Sequence, residues 1–363
     1  MFLPQISNFL FYRHVFSLRN IFKGSLSYIF YILGIDKICF NPITIHFLIT
    51  FSCNFNCSMC SLAASKNIAC KILTPQDIEK FLLAQKKFKP FIFFCGGEPF
   101  MRSDFVEVLK VVKKYNFKCG INSNGYMLDG DKIKEITGLG VELIIFSLHG
   151  QEAVHDAITG VKGSYSKSLE NISLFCKNKS KRSRVIISCT INKTNIDSLE
   201  EIPLIAKRLG VDAVKFEHLN FLSSLEAEAA RKYFSGDSHS LNALITDFYD
   251  NNGEFAHKLI NTLTKIKKKH KGFVFVKPDL TNEEIKNWYS NSFNSKRKCF
   301  FIWHSIFIRP DGIVVPCQFL KDYELGDISK NGLRHIFVND KSTYLRKILR
   351  NQLLPECPRC CKL

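Results

Sequence analysis

Cys53-Asn-Phe-Asn-Cys57-Ser-Met-Cys60 sets three thiols within eight residues, directly after the apolar run Ile43 to Phe51. Three thiolates in one loop can hold three corners of a cubane iron–sulfur cluster. A structural zinc site wants four ligands, and the nearest further cysteine is Cys70. A cluster with only three protein ligands keeps one iron open, and an open iron can chelate a small molecule. A second group, Cys299, Cys317 and the run Cys357-Pro-Arg-Cys360-Cys361, reads as another metal site, with zinc as the competing occupant because paired cysteines suit it too. Cys39, Cys70, Cys95, Cys119, Cys176 and Cys189 read as small, buried or incidental side chains.

Both groups need elements to hold them. From about residue 43, apolar runs of strand length alternate with segments of helical period, the pattern of repeated β-α units around a parallel sheet. The expected strands are Ile43 to Phe51, Phe91 to Cys95, Lys118 to Asn122, Glu142 to Leu148, Arg184 to Ile191 and Ala213 to Glu217. Between them, Thr74 can cap a helix that opens with Pro75 and buries Ile78, Phe81 and Leu82. Ser103 is expected to cap a second, with Phe105, Val108, Leu109 and Val112 on one face. Six such units can roll into a partial barrel, whose site lies at the C-terminal strand ends. The three-cysteine loop falls at the first of those ends.

The organisation expected is an N-terminal helical segment (1–40), the α/β partial barrel (41–220), a polar, helical stretch (221–298) and a small cysteine-bearing C-terminal domain (299–363). At 363 residues and 46% hydrophobic content the chain can bury a large core. Fourteen cysteines in a long chain with no signal-peptide pattern point to a reducing, cytoplasmic setting, where clustered thiols bind metal more often than they pair. A net charge of +18 attracts phosphates, nucleic acid or anionic membranes. The basic residues, however, lie in scattered runs such as Lys177 to Arg184 and Lys265 to Lys271 without aromatic interleaving, which ranks nucleic acid low. The N-terminal forty residues are aromatic and aliphatic, with Arg13, Arg19 and Lys23 between, and no run approaches the roughly 20 apolar residues of a membrane span. An amphipathic helix on an anionic membrane surface and a terminal helix pair packed on the main domain are the two readings.

The C-x3-C-x2-C loop after the first strand resembles the hallmark of the radical S-adenosylmethionine (SAM) superfamily. Gly96-Gly97-Glu98-Pro99 after the second strand is similar to that family's GGEP segment, Asn122-Ser-Asn-Gly125 follows the third strand, and Ser147-Leu-His-Gly150 with His155-Asp156 follows the fourth. The resemblance implies a partial (β/α)6 TIM-like barrel. It implies a [4Fe–4S] cluster held by Cys53, Cys57, Cys60 and SAM, with Gly96 and Gly97 letting backbone near the ligand and Glu98 meeting the amino group of SAM. It also implies Asn124 and Ser147 near the ribose and carboxylate, and Met59 against adenine. Thr159 departs from the pattern, standing close to where many relatives carry an arginine for the SAM carboxylate.

The spacing from Cys299 through Gly312 to Cys317, closed by the terminal cysteines, resembles the SPASM extension and its shorter Twitch form. That implies an auxiliary [4Fe–4S] cluster on Cys299, Cys317, Cys357 and Cys360, with Cys361 as an alternative ligand. The chemistry implied is reductive cleavage of SAM to a 5′-deoxyadenosyl radical, with electrons from flavodoxin or ferredoxin, and hydrogen abstraction that leads to oxidation or cross-linking of a small molecule or peptide. No catalytic residue is assigned. Glu217, His218, His149 and His304 read as satisfied polar residues, with a cavity-facing role as the alternative. A non-catalytic iron–sulfur protein is the rival, and the retained Gly96 to Pro99 segment argues against it.

Overall fold

The computed structural model describes residues 17–37, 40–66, 70–234, 248, 250, 252–291 and 293–363. Cys39 and the first sixteen residues lie outside them. A helix α1 (Leu18–Ile32) precedes the sheet, capped by the Ser17 hydroxyl. Strands β1 (Thr44–Thr50), β2 (Phe91–Gly96), β3 (Cys119–Ser123), β4 (Leu143–Ser147), β5 (Arg184–Ile191) and β6 (Ala213–His218) follow, paired in parallel, each with the next. Helices α2 (Pro75–Gln85), α3 (Phe105–Lys114), α4 (Gly130–Leu139), α5 (Glu152–Thr159), α6 (Ser164–Asn178) and α7 (Ile202–Leu209) make the crossovers. The six expected strands and the helices between them are present.

The sheet is wider than the sequence implied. Four short strands extend it, β7 (Val274–Lys277), β8 (Ser305–Ile308), β9 (Ile313–Val315) and β10 (Gly326–Asp327), in the order β10-β9-β8-β1-β2-β3-β4-β5-β6-β7. The ends do not meet, so the barrel stays open. Strand β7 belongs to the stretch read as helical, whose described residues also form α8 (Ser224–Phe234), α9 (Glu254–Lys269) and α10 (Asn282–Trp288). Strand β8 pairs in parallel with the free edge of β1, from Thr44 opposite Ser305 to Phe47 opposite Ile308, which joins the C-terminal region to the strand that leads into the three-cysteine loop. Helices α11 (Leu333–Val338) and α12 (Asp340–Asn351) complete that region. Buried Arg346 of α12 fastens it, donating to the carbonyls of Ile302 (3.1 Å) and Phe337 (2.7 Å).

Alternation along the strands divides the side chains between two faces. Ile45, Phe47, Ile49, Phe94, Ile121, Ile144 and Phe146 face the helices and form the main core. Phe91, Leu143, Ile145 and Ile186 form a smaller cluster on the other face, with Phe93 and Phe275 against it. Thr74 caps α2 as expected, in a full capping box with Asp77. Ser103 does not cap α3. Asp104 takes the N-cap position without a capping bond, because its carboxylate is held by Arg102 at 2.8–2.9 Å.

The ends of β1 and β2 meet backbone to backbone. Gly97 N donates to Thr50 O and Glu98 N to Ser52 O, both at 2.8 Å. A Cβ on Gly96 would lie 2.4 Å from Thr50 O, and one on Gly97 would lie 2.1 Å from Ser52 O. The two glycines therefore admit a neighbouring strand end, over and above any ligand. A Gly97→Ala variant should lose about 3 kcal/mol through this overpacking, read as a lower denaturation midpoint. Gly130→Ala, whose Cβ meets nothing within 4 Å, should not. Equal midpoints for the two variants would contradict the contact.

Candidate active site

Beyond the C-terminal strand ends lies a pocket of about 140 Å³, open in part to solvent, lined by Cys53, Cys57, Cys60, Gly96, Gly97, Glu98, Asn124, Ser147, Lys66, His149, His155 and Thr159 among others. The structure thus brings together every primary-site residue expected from sequence except Met59, which packs half-buried against the core and is not among the pocket's lining residues.

The cysteine loop is held from α5. Asn56 N donates to Thr159 O (2.8 Å) and Ser58 N to Ile158 O (3.0 Å). Buried Phe55 wedges edge-on against Tyr126, and the Lys66 ammonium donates to Phe55 O. Phe55 N points at Cys53 Sγ (3.4 Å), a donor suited to a thiolate. Burial pushes the Cys57 thiol up to about 12, and Cys60 and Cys53 add to the effect. A thiol held protonated by burial and by neighbouring thiols gives up its proton when a cation sits beside it. An iron–sulfur cluster meets that demand, and these three residues would hold it. Among the described residues no three His, Cys, Asp or Glu side chains converge closely enough for a single metal ion.

Glu98 is buried, accepting from Phe100 N (3.1 Å), Ser123 Oγ (2.9 Å) and Asn124 N (2.7 Å). Burial raises its carboxyl to about 7 against the pull of these donors. A carboxylate in this state gains from an ammonium partner. His155 Nδ1 accepts from His149 N (3.1 Å), and burial holds this imidazole neutral, near 4, which puts its proton on Nε2. That Nε2 is buried with no partner in the protein. An orphan donor on a pocket wall fits a ligand with anionic oxygens, as SAM has. His155 stands in a motif segment named from the sequence, but its role as a donor comes from the hydrogen bond at its other nitrogen, and Lys66 has no spacing that marks it.

Thr159 supplies no charge: its hydroxyl pairs with Ser164 Oγ (2.7 Å). The Asn124 amide is largely engaged, donating to Asn54 Oδ1 (2.8 Å) and accepting from Tyr126 N (2.9 Å). Ser147, at the end of β4, is half-buried and faces the pocket.

In the C-terminal region Cys299, Cys317, Cys357 and Cys360 form a second thiol group. Burial pushes up Cys317 and Cys357, with Cys299 adding to both, and Cys360 is raised by Cys361, burial, Cys317 and Cys357. These four would hold a second cluster on the same electrostatic ground. Cys361 stays beside this group: a hydrogen bond with Cys360 lowers its thiol to about 6, Lys362 and Lys215 add to the effect, and its sulfur also accepts from Gln318 Nε2 (3.6 Å), so it stands as the alternative ligand to Cys360. Buried Lys321 links the two groups: its ammonium donates to Ser61 O (3.2 Å), beside Cys60, and feels both Cys60 and Cys317.

The barrel's inner face adds a polar set. Lys215 Nζ lies 3.0 Å from Glu217 Oε2, and Ser188 Oγ donates to the same oxygen (2.9 Å). Lys277 stands opposite Glu217 on β7. Burial acts to raise Glu217, but Lys215, Lys362 and Ser188 outweigh it and hold the carboxyl below its usual range. His218 is turned away from this set, its Nδ1 bonded to Tyr289 Oη (2.9 Å) and buried. His304 pairs with Ser305 (2.7 Å).

Residues 47–203 match the Radical SAM superfamily, and residues 299–361 match the iron–sulfur cluster-binding domain SPASM. The chain is 26% identical over 341 residues to a tungsten-containing aldehyde ferredoxin oxidoreductase cofactor-modifying protein of Pyrococcus furiosus, covering 86% of this chain and 85% of that protein. It is 24% identical to the sporulation killing factor maturation protein of Bacillus subtilis, over 81% of this chain and 64% of that one. Streptococcus suis SuiB bound to its precursor peptide SuiA shares the fold, with a TM-score of 0.62 at 14% identity over 85% of this chain and 67% of that structure. With its motifs gathered on one pocket and both domains matched in order, the chain belongs to the radical SAM superfamily and carries a SPASM auxiliary iron–sulfur domain.

Proposed function

We propose that the protein is an oxidising radical SAM enzyme that uses its auxiliary site as electron acceptor, acting on a peptide or small molecule bound against the inner barrel face. The observation that carries this reading is the single pocket in which the three thiols, Glu98, Ser147 and the orphan His155 donor meet. With cluster and SAM bound, such a site supplies one-electron cleavage of a carbon–sulfur bond and a 5′-deoxyadenosyl radical that takes a hydrogen atom from a substrate carbon. Oxidation of the substrate radical then needs one electron and one proton removed. A cluster held by Cys299, Cys317, Cys357 and Cys360 would supply the acceptor for that electron, and Lys321 ties those residues to the first thiol group.

Within the pocket, Glu98 faces the ammonium of SAM. His155 Nε2 and the Lys66 ammonium provide the donors that Thr159 lacks, toward the carboxylate. Ser147 and the remaining N–H of Asn124 serve the ribose. Glu217, kept ionised by Lys215, is positioned to accept the substrate proton. Peptide substrates gain support from the maturation protein and from SuiB with its precursor peptide, and small molecules from the cofactor-modifying protein. A flavodoxin or ferredoxin supplies the initiating electron, in a reducing compartment.

Anaerobically reconstituted, reduced protein should form 5′-deoxyadenosine from SAM, and Cys57→Ala should form none. Cys317→Ala should retain cleavage while losing oxidised product; full product formation there would refute the acceptor role.

SAM affinity should depend on pH through Glu98. Below about 7 its carboxyl holds a proton and cannot pair with an ammonium, so binding should weaken by up to about tenfold per unit as pH falls. Because the folded state holds this proton more tightly than the unfolded chain, the same group lowers ligand-free stability as pH rises from the usual carboxyl range to about 7. Glu98→Gln should bind SAM weakly at every pH. A pH slope that survives in Glu98→Gln would assign the titration to another group.

A further inference from the structure

Among the described residues, none covers one apolar face of α1. Leu18 (85% exposed), Phe22 (70%), Ile29, Ile32 and Leu33 share it, with exposed Ser25 completing a spacing of four and three residues along the helix. The other face is anchored. Tyr31 meets Trp303 edge-on (4.9 Å), Tyr28 meets Phe300 (5.3 Å), and the buried Asn20 amide donates to Lys89 O (3.2 Å). The helix therefore cannot roll its apolar side inward without breaking these contacts. The exposed side chains make a continuous stripe, which scattered surface hydrophobics do not.

The stripe has a basic border. Arg19 and Lys23 lie on α1, which contains no acidic residue. The turn after α2 adds exposed Lys86, Lys87 and Lys89 and is held to α1 by Arg19 Nη1 donating to Lys87 O (2.5 Å). Exposed Leu83 continues the apolar surface there. Five cations thus accompany the stripe, on a chain of net charge +18. A second copy seated on this face would bring an identical basic border to it. A surface of apolar side chains set among anionic oxygens satisfies both features at once.

We infer that α1 docks the enzyme on an anionic lipid bilayer, with Leu18, Phe22, Ile29, Ile32 and Leu33 entering the headgroup–acyl boundary and the lysine turn pairing with lipid phosphates. This surface is separate from the pocket and does not depend on the chemistry proposed there.

Full-length protein is sedimented with phosphatidylcholine vesicles with and without phosphatidylglycerol. Binding is expected to the anionic vesicles only and to fall steeply with added salt. Phe22→Glu/Ile29→Glu should lose binding, and Lys86→Gln/Lys87→Gln/Lys89→Gln should weaken it about a hundredfold. Circular dichroism and retained 5′-deoxyadenosine formation separate a docking defect from misfolding. Absence of wild-type binding, equal binding to neutral vesicles, or unchanged binding by the Phe22/Ile29 variant would overturn the inference. So would a dimer in analytical ultracentrifugation that the Phe22/Ile29 variant dissolves while vesicles recover no protein, since the face then serves a second copy.

Discussion

The structure depends on a direct backbone seam between the ends of β1 and β2. Parallel pairing carries the strands side by side from Thr44 opposite Phe91, and at the end the register shifts so that Gly97 and Glu98 bond back to Thr50 and Ser52. Side chains at 96 and 97 would collide with the carbonyls that make this seam. Because the three-cysteine loop leaves β1 at Ser52, the seam sets the distance between the thiols and Glu98. Strand β8 holds the other edge of β1, so the C-terminal thiol group is referenced to the same strand.

Around that seam the site gathers groups that are uncomfortable alone. Buried thiols resist ionisation, Glu98 is raised by burial, and His155 holds an unpartnered donor in a closed space. Each is relieved by a different part of one ligand set: cationic iron for the thiols, an ammonium for Glu98 and anionic oxygens for His155. Relief of these groups by their partners adds to the binding energy of those partners. The four C-terminal thiols repeat the logic at a second site.

Much of this was legible in the sequence, for physical reasons. Strands buried on both faces read as unbroken apolar runs, which is why Phe91 to Cys95 and Glu142 to Leu148 were placed within a residue or two. Strands β7 to β10 are two to four residues long and lie in mixed surroundings, too short for a periodic signal. Ser103 lost the cap because Arg102 locks Asp104, a side-chain pairing that local propensity does not register. The thiol spacing and Glu98 were visible because one loop carries each. His155 was visible only as part of a motif segment and Glu217 only as one of several polar side chains that could face a cavity; the His155 donor, Lys66 and the Lys215–Glu217 pairing were not, since they arise from which groups face one another in the fold.

The claim that this pocket joins a three-cysteine cluster to SAM is tested most directly by electron paramagnetic resonance of the reduced, reconstituted protein, with and without SAM. The account predicts two cluster signals, one of which changes on SAM addition, and in Cys57→Ala a single remaining signal indifferent to SAM. A wild-type spectrum unchanged by saturating SAM, or a SAM-dependent change that persists in Cys57→Ala, would contradict it.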